Sequence, residues 1–372
     1  MRPSFGVFDR VVTHRFGNWV IGSERLQMAK RWKNRPDGSN WGDFGDDDQI
    51  GRLNLLTPER VRRAATEIQT GERFCLSLPL DYPGGNKLNP RRHPPRRFAT
   101  DRSGVANYKF EMSDEGADWF DITCDDAVLL YTQYSSQWDA FTHWGAHFDA
   151  DGDGVAERLF YNGWSADTHL VKPDPQTAGD PMPHEGCEAQ VLGIDTFAKA
   201  AIQGRGVLVD LSSRFGRDRH YVTYDDLKGI LDDDDVSIET GDMVCFYTGF
   251  GDVVMKQNRD PDPDVLHSSC AVLDGRDEKL RQWVSETGAA ALISDNYAVE
   301  GYPAREGEGK HSALPLHNHC LFKLGVPLGE LWYLSDLAAW LKQAGRNRFF
   351  LTAPPLRLPG AVGSPVTAVA TV

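Results

Sequence analysis

The chain lacks a cysteine framework. Its six cysteines, Cys75, Cys124, Cys187, Cys245, Cys270 and Cys320, include no C-x-x-C pair. A disulfide scaffold and a zinc ribbon are therefore not expected, and the cysteines read as reduced structural thiols of a cytoplasmic protein. Positive charge is also short. A net charge of −14 argues against a nucleic-acid partner, because phosphate binding needs a basic face. No apolar run approaches the roughly 20 residues that span a bilayer, so no membrane role is expected. The opening "MRPSFGVFDRVVTHRFGNW" has no uninterrupted apolar stretch of the kind a secretion signal carries. No G-x-S-x-G occurs, no G-x-G-x-x-G follows a strand, and "GEGKH" lacks the Ser or Thr of a phosphate loop. Serine nucleophiles, dinucleotides and P-loop nucleotides drop out. What remains is oxygen and nitrogen ligands, and with them metal chemistry.

The elements that are present alternate. Thr57 can cap a helix with Pro58 in its first turn and Gly71 as its stop, and "FCLSLPL" reads as a strand. "GVLVDL" (206–211), "DMVCFYTGF" (242–250) and "AALISDN" (290–296) are short apolar runs of the fully buried kind. Helical patterns lie between them near 193–203, 224–231 and 276–287. Ser335 can cap "DLAAWLKQAG", and "RFFLTAPPLRL" returns as a strand. This predicts an α/β fold with a mixed β-sheet and flanking helices. The expected organisation is an N-terminal extension over 1–40 and a catalytic domain over 41–372. Residues 84–118, rich in Pro, Arg, Gly and Asp, form a long loop excursion, either a lid or an oligomer contact. A homo-oligomer, dimer or tetramer, is expected.

"QWDAFTHWGAHFDADGDG" (137–154) offers three metal readings. His143, His147 and Asp149 make H-x-x-x-H-x-D. Asp139 and His143 make D-x-x-x-H. Asp149, Asp151, Asp153 and Gly154 open a calcium loop, but Phe160 stands where that loop needs a bidentate Glu. Alternation along a strand puts Gln137, Asp139, Phe141 and His143 on one side, and Gln133 and Ser135 with them. Downstream, "LPLHNHCLFKLGVPLGELW" supplies His317, His319 and Glu330. Two imidazoles and a carboxylate joined to an Asp–His pair would make an N/O set for Zn²⁺ or Mn²⁺. The competing reading makes His317 a helix cap and Glu330 a solvated acid.

The blocks "SNWGDFGDDDQIGRLNLLTPERV", "QWDAFTH", "FDADGDGVAERLFYNG", "GRGVLVDL", "LGVPLGELWYLSDLA" and "GAVGSPV" resemble the longer members of the cyclase family, which includes kynurenine formamidases and isatin hydrolases. The resemblance implies the swivelling β/β/α cyclase-like fold and metal-dependent hydrolysis of an amide, cyclic amide or lactone, with ring closure as the reverse. The short members carry H-x-G-T-H-x-D-x-P-x-H. Laid on this chain from Gln133, that motif keeps Asp139 and His143 and replaces two histidines by Gln133 and Gln137. Laid from His143 it keeps His147 and Asp149 but loses the Pro and the last His. The first register also keeps the family's distance to "YNG".

The resemblance therefore implies one divalent ion, Zn or Mn, on Asp139, His143, His317 and Glu330. His319, Gln133, His147 and Asp149 are the less favoured ligands. His143 or Glu330 would serve as general base, and Gln137 would donate to the oxyanion. Trp41, Phe44, Trp138, Phe141 and Trp144 are candidates to line a pocket for a small, aromatic molecule. The alternatives are a binding protein of the same fold that has lost its metal, and a structural calcium protein using residues 149–157.

Overall fold

Apolar runs without alternation need cover on both faces, and in this chain they become parallel strands at the centre of a sheet. The computed structural model describes residues 30–173 and 184–372. Among these residues nine strands form one mixed sheet. In chain order they are β1 (Arg73–Cys75), β2 (Gln137–Asp139), β3 (Gln203–Asp210), β4 (Met243–Tyr247), β5 (Ala291–Ser294), β6 (Leu328–Glu330), β7 (Arg348–Thr352), β8 (Gly363–Pro365) and β9 (Val369–Thr371). Side by side they run β1-β9-β7-β3-β4-β5-β6-β2-β8. Strands β3 to β6 are mutually parallel, and the outer pairings are antiparallel.

Helices Ile194–Ala200, Tyr224–Asp233, Glu278–Thr287 and Ser335–Ala344 flank the sheet, as their apolar spacing predicts. Leu227 and Ile230 of one, and Leu280 and Val284 of another, are buried. Each such side chain contributes roughly 1.5–3 kcal/mol. Thr57 caps Pro58–Ala64 by accepting from the Arg60 amide. Ser335 does not cap: it is the first helical residue, and Leu334 precedes it as the cap. "FCLSLPL" pairs as a continuous strand through Cys75 and makes one further bridge, Ser77 to Trp332, with Leu76 and Leu78 buried.

Residues 31–372 form one compact unit, which starts ahead of the boundary at Trp41 expected from the sequence. Trp32 already packs into its core. Residues 1–29, most of the expected extension, lie outside the described residues. No helix of the described residues is long and apolar enough to cross a membrane. All six cysteines are free thiols.

The excursion contains short β-strands between residues 96 and 111. Arg96–Ala99 pairs with Asp126–Leu129, Asp101–Arg102 with Val105–Ala106, and Tyr108–Glu111 with Ile122–Cys124. These ladders make an arm that leaves Phe120 92% exposed.

The segment "NWGDFGDDDQIGR" holds the chain that follows His317. Asn40 Nδ2 donates to Leu324 O at 2.7 Å, Trp41 Nε1 to Phe322 O at 2.8 Å and the Arg52 amide to Gly325 O at 2.7 Å. Gly51 has φ +52°, and a Cβ there would lie 2.1 Å from the Gly325 oxygen, so only glycine permits this approach.

Candidate metal centre

Strand pairing builds the first half of the site. Gln137 and Asp139 are two apart on β2 and so share a face, while Trp138 turns to the other side and packs edge-on against Trp332. In the antiparallel register Glu330 of β6 lies opposite Gln137, and Leu328 opposite Asp139. Glu330 therefore emerges beside Asp139. Gln137 Nε2 donates to Glu330 Oε2 at 2.8 Å.

The third side chain comes from the turn Pro315–His317. His317 Nε2 lies 3.2 Å from Glu330 Oε1 and 4.0 Å from Asp139 Oδ2. Ligand atoms of Asp139, His317 and Glu330 all fall within 4.8 Å of one another. The ring is set from behind by a residue that sequence reasoning missed. Glu300 Oε1 accepts from the His317 amide at 2.8 Å and lies 2.9 Å from Nδ1, while Oε2 accepts from the Leu316 amide. A proton on Nδ1 leaves the lone pair on Nε2, facing the two carboxylates. Nothing around Glu300 in "YAVEGYP" signals this partnership.

The structure does not bring His319 to this cluster. Residues two apart on a helical turn point about 200° from one another, and the His319 ring turns away to Ser285, with Nε2 2.9 Å from Oγ. Burial pushes it down to about 4.

His143 completes the cluster by a route other than alternation. β2 ends at Asp139, and Phe141–His143 is a 3₁₀ turn in which the His143 amide donates to Ala140 O. His143 Nε2 comes to 3.9 Å from Asp139 Oδ2. Phe141, expected on the same side, is packed in the core against Tyr161 and Phe197. Gln133 Nε2 lies 3.4 Å from His143 Nδ1, so Gln133 supports that ring. The Ser135 hydroxyl bonds Pro79 O instead of facing the cluster.

The electrostatics ask for a cation. Asp139 is fully buried, and neither of its carboxylate oxygens has a hydrogen-bond partner; Glu330 Oε1 and Gln137 Oε1 are buried and unpartnered too. Buried polar oxygens are nearly always bonded, and an unpaired buried carboxylate is costly. Burial, with Glu330 adding to it against the opposing pull of His143 and His317, pushes Asp139 up to about 6. Burial opposes charge on His317 as well, but its hydrogen bond to Glu300 and the facing Glu330 carboxylate prevail and raise it to about 10. Burial lowers His143. Two carboxylates, one oriented imidazole and a second at the edge fit a divalent cation.

The other readings of the motif are kept apart from this cluster. His147 is exposed on a short strand opposite Arg158. Asp149 accepts from the Gly152 and Gly154 amides, Asp151 from Asp153, and Asp153 from Val155. Their ligand atoms do gather, but Asp151 and Asp153 are exposed and all three bond the turn they sit in. Gln137, buried beneath Glu330 and spending an N–H on it, steers that carboxylate instead of standing free for an oxyanion.

A cavity of about 370 Å³ opens over the cluster, with His143, Trp144, His317 and Glu330 in its lining. Trp144 packs edge-on against His317. Of the aromatic candidates only Trp144 lines it; Trp41, Trp138 and Phe141 are core residues, and Phe44 is not in the wall. The aromatic lining comes also from Tyr134, Tyr297 and Tyr302.

The sheet and its buried Asp–His–Glu cluster define an α/β protein with donors set for a divalent cation. Residues 76–301 match the family model described as Putative cyclase. The chain belongs to this family. It is similar to a solved structure called a novel cyclase, at 33% identity over 90% of this chain and 97% of that one, with a TM-score of 0.67. Isatin hydrolase A from Labrenzia aggregata, solved bound to benzyl benzoate, shares the fold at 15% identity over 86% of this chain and 98% of that one, with a TM-score of 0.50. The curated proteins contain no match.

Proposed function

We propose that the chain is a metal-dependent hydrolase that opens an amide, cyclic amide or lactone of a small molecule. The observation that carries this is Asp139, buried with both oxygens unpartnered, within reach of His143, His317 and Glu330 under an apolar-walled cavity. Those four residues would hold one divalent ion, Zn²⁺ or Mn²⁺. When bound, such an ion supplies Lewis acidity to a carbonyl and lowers the pKa of water.

The chain's residues do the rest. His143 stands at the edge of the cluster and lines the cavity, and burial lowers its pKa; where Asp139, His317 and Glu330 hold the ion without it, its ring can take a proton from the attacking water and return it to the leaving nitrogen or oxygen. Glu330 is fixed between Gln137 and His317, and Glu300 keeps the His317 ring from turning. Trp144, Tyr134 and Leu314 keep bulk water from the floor of the cavity. Ring closure would use the same groups in reverse.

The test joins elemental analysis of protein purified without added metal to a metal-supplemented screen of N-formyl aryl amines, cyclic amides and lactones. About one ion per chain and hydrolysis of one class are expected. Metal-free protein that binds such compounds without turning them over would make it a non-catalytic binding protein instead.

A further inference from the structure

The chain carries a net charge of −14, yet two arginines stand in the wall of the cavity over the cluster, and Glu330 is the one acid in that wall. Arg92 is partly buried. Its Nη1 donates to Gln133 O at 2.6 Å, which ties it to the segment whose side chain supports His143. A guanidinium has five N–H donors, and no carboxylate among the described residues lies within ion-pair distance of Arg92 or of Arg91 at the rim. Some arginines elsewhere find such partners, as Arg205 meets Asp242, Arg217 meets Asp252 and Arg102 meets Glu115, while others, such as Arg52 and Arg281, donate to backbone carbonyls. Arg91 and Arg92 sit in "NPRRHPP", where Pro90, Pro94 and Pro95 stiffen the backbone and so lower the entropy lost on binding.

We propose that the cavity recognises an anionic substrate, a small carboxylate whose charge is received by Arg92, with Arg91 at the rim, while its amide or lactone carbonyl faces His143 and Glu330. The assignment of the reacting bond rests on the hydrolase reading; the anion site does not. A planar guanidinium with free donors matches a carboxylate in paired hydrogen bonds, which a neutral amide cannot reproduce. The apolar walls at Leu88, Tyr134 and Leu314 suit a ring or hydrocarbon joining the two groups.

The test uses metal-loaded protein and two matched pairs of probes. One pair is N-formyl aryl amines carrying a ring carboxylate or a ring carboxamide, read by formate release. The other is benzoate and benzamide, read by calorimetry. Wild type is expected to favour the carboxylate by about ten- to a hundredfold in kcat/KM and in affinity. Arg92→Gln removes most of that preference, Arg92→Lys keeps part of it, and Arg91→Gln removes less, with metal content and circular dichroism unchanged in all three. Equal treatment of acid and amide by wild type overturns the proposal. So does a benzoate preference that survives Arg92→Gln and vanishes in Asp139→Asn, because the metal would then be the receptor. Benzoate binding that depends on Arg92, with no probe hydrolysed, upholds the anion site and removes the hydrolase reading alone.

Discussion

Glu330 and Gln137 face one another across β6 and β2, and the Gln137 amide donates to Glu330 Oε2 at 2.8 Å. The contact leaves Oε1 toward His317, 3.2 Å from Nε2. Glu330→Gln removes a charge from the cluster and should strip metal and activity together. Gln137→Leu should retain the fold and weaken metal affinity by about 10–100-fold, the usual cost of losing a hydrogen bond that orients a ligand. Isothermal titration of the metal checks both. Full affinity in Glu330→Gln would separate the two halves of the site.

Glu300 should behave as a positioning residue for His317. In metal-free protein the His317 ring stays protonated up to about pH 10 because Glu300 and Glu330 outweigh its burial. Glu300→Gln is expected to lower that value and to weaken metal binding by about 10–100-fold. NMR titration of the His317 ring would show it. An unchanged titration would mean that Glu330 alone sets the ring.

The pH dependence of the metal-free protein follows from two raised groups. Asp139 is raised from 3.8 to about 6, so its contribution is complete below pH 3.8 and lost as pH rises through 6. His317 is raised from 6.5 to about 10, so its contribution is complete below pH 6.5 and lost as pH rises through 10. Both changes run the same way. Metal-free protein should lose stability from these groups as pH climbs from 4 to 10, and metal affinity should rise over the same window because binding displaces their protons. Asp139→Asn should raise the metal-free Tm at pH 8 while abolishing the Tm gain from metal. A metal-free Tm at pH 8 that falls in this variant would count against an unpaired buried charge.

Much of the fold could be read from the sequence because β3, β4 and β5 are apolar runs with cover on both faces, a pattern that local residues carry. The arm could not. Its strands, such as Asp101–Arg102 and Val105–Ala106, are two residues long and exposed, so neither length nor alternation marks them. Asp139 and His143 were identifiable, but through an alternation that the chain abandons at Asp139. The 3₁₀ turn after β2 sends Phe141 to the core and His143 to the site, a change set by tertiary packing. Glu300 was invisible because its bonds to Leu316 and His317 arise only when the turn Pro315–His317 docks on the loop after β5.

A second ion can be tested for. In the register drawn from Gln133, the resemblance sets Gln133 and Gln137 at the histidine positions of the short relatives, and they lie beside His143 and Glu330. Asp139 has two unpartnered oxygens, enough to serve two ions roughly 3.5–4 Å apart. Gln133→His with Gln137→His should raise metal content from about one to about two ions per chain. A folded double variant that still holds one ion would show that the backbone does not bring the new imidazoles together.

The proposed metal site lies on Asp139, His143, His317 and Glu330, apart from the acidic turn at Asp149. Elemental analysis of five purified proteins addresses it directly: wild type, Asp139→Asn, His143→Ala, His147→Ala and Asp149→Asn. The account predicts about one divalent ion per chain in wild type, His147→Ala and Asp149→Asn, and little or none in Asp139→Asn and His143→Ala. Metal retained by Asp139→Asn and His143→Ala but lost from His147→Ala would contradict it.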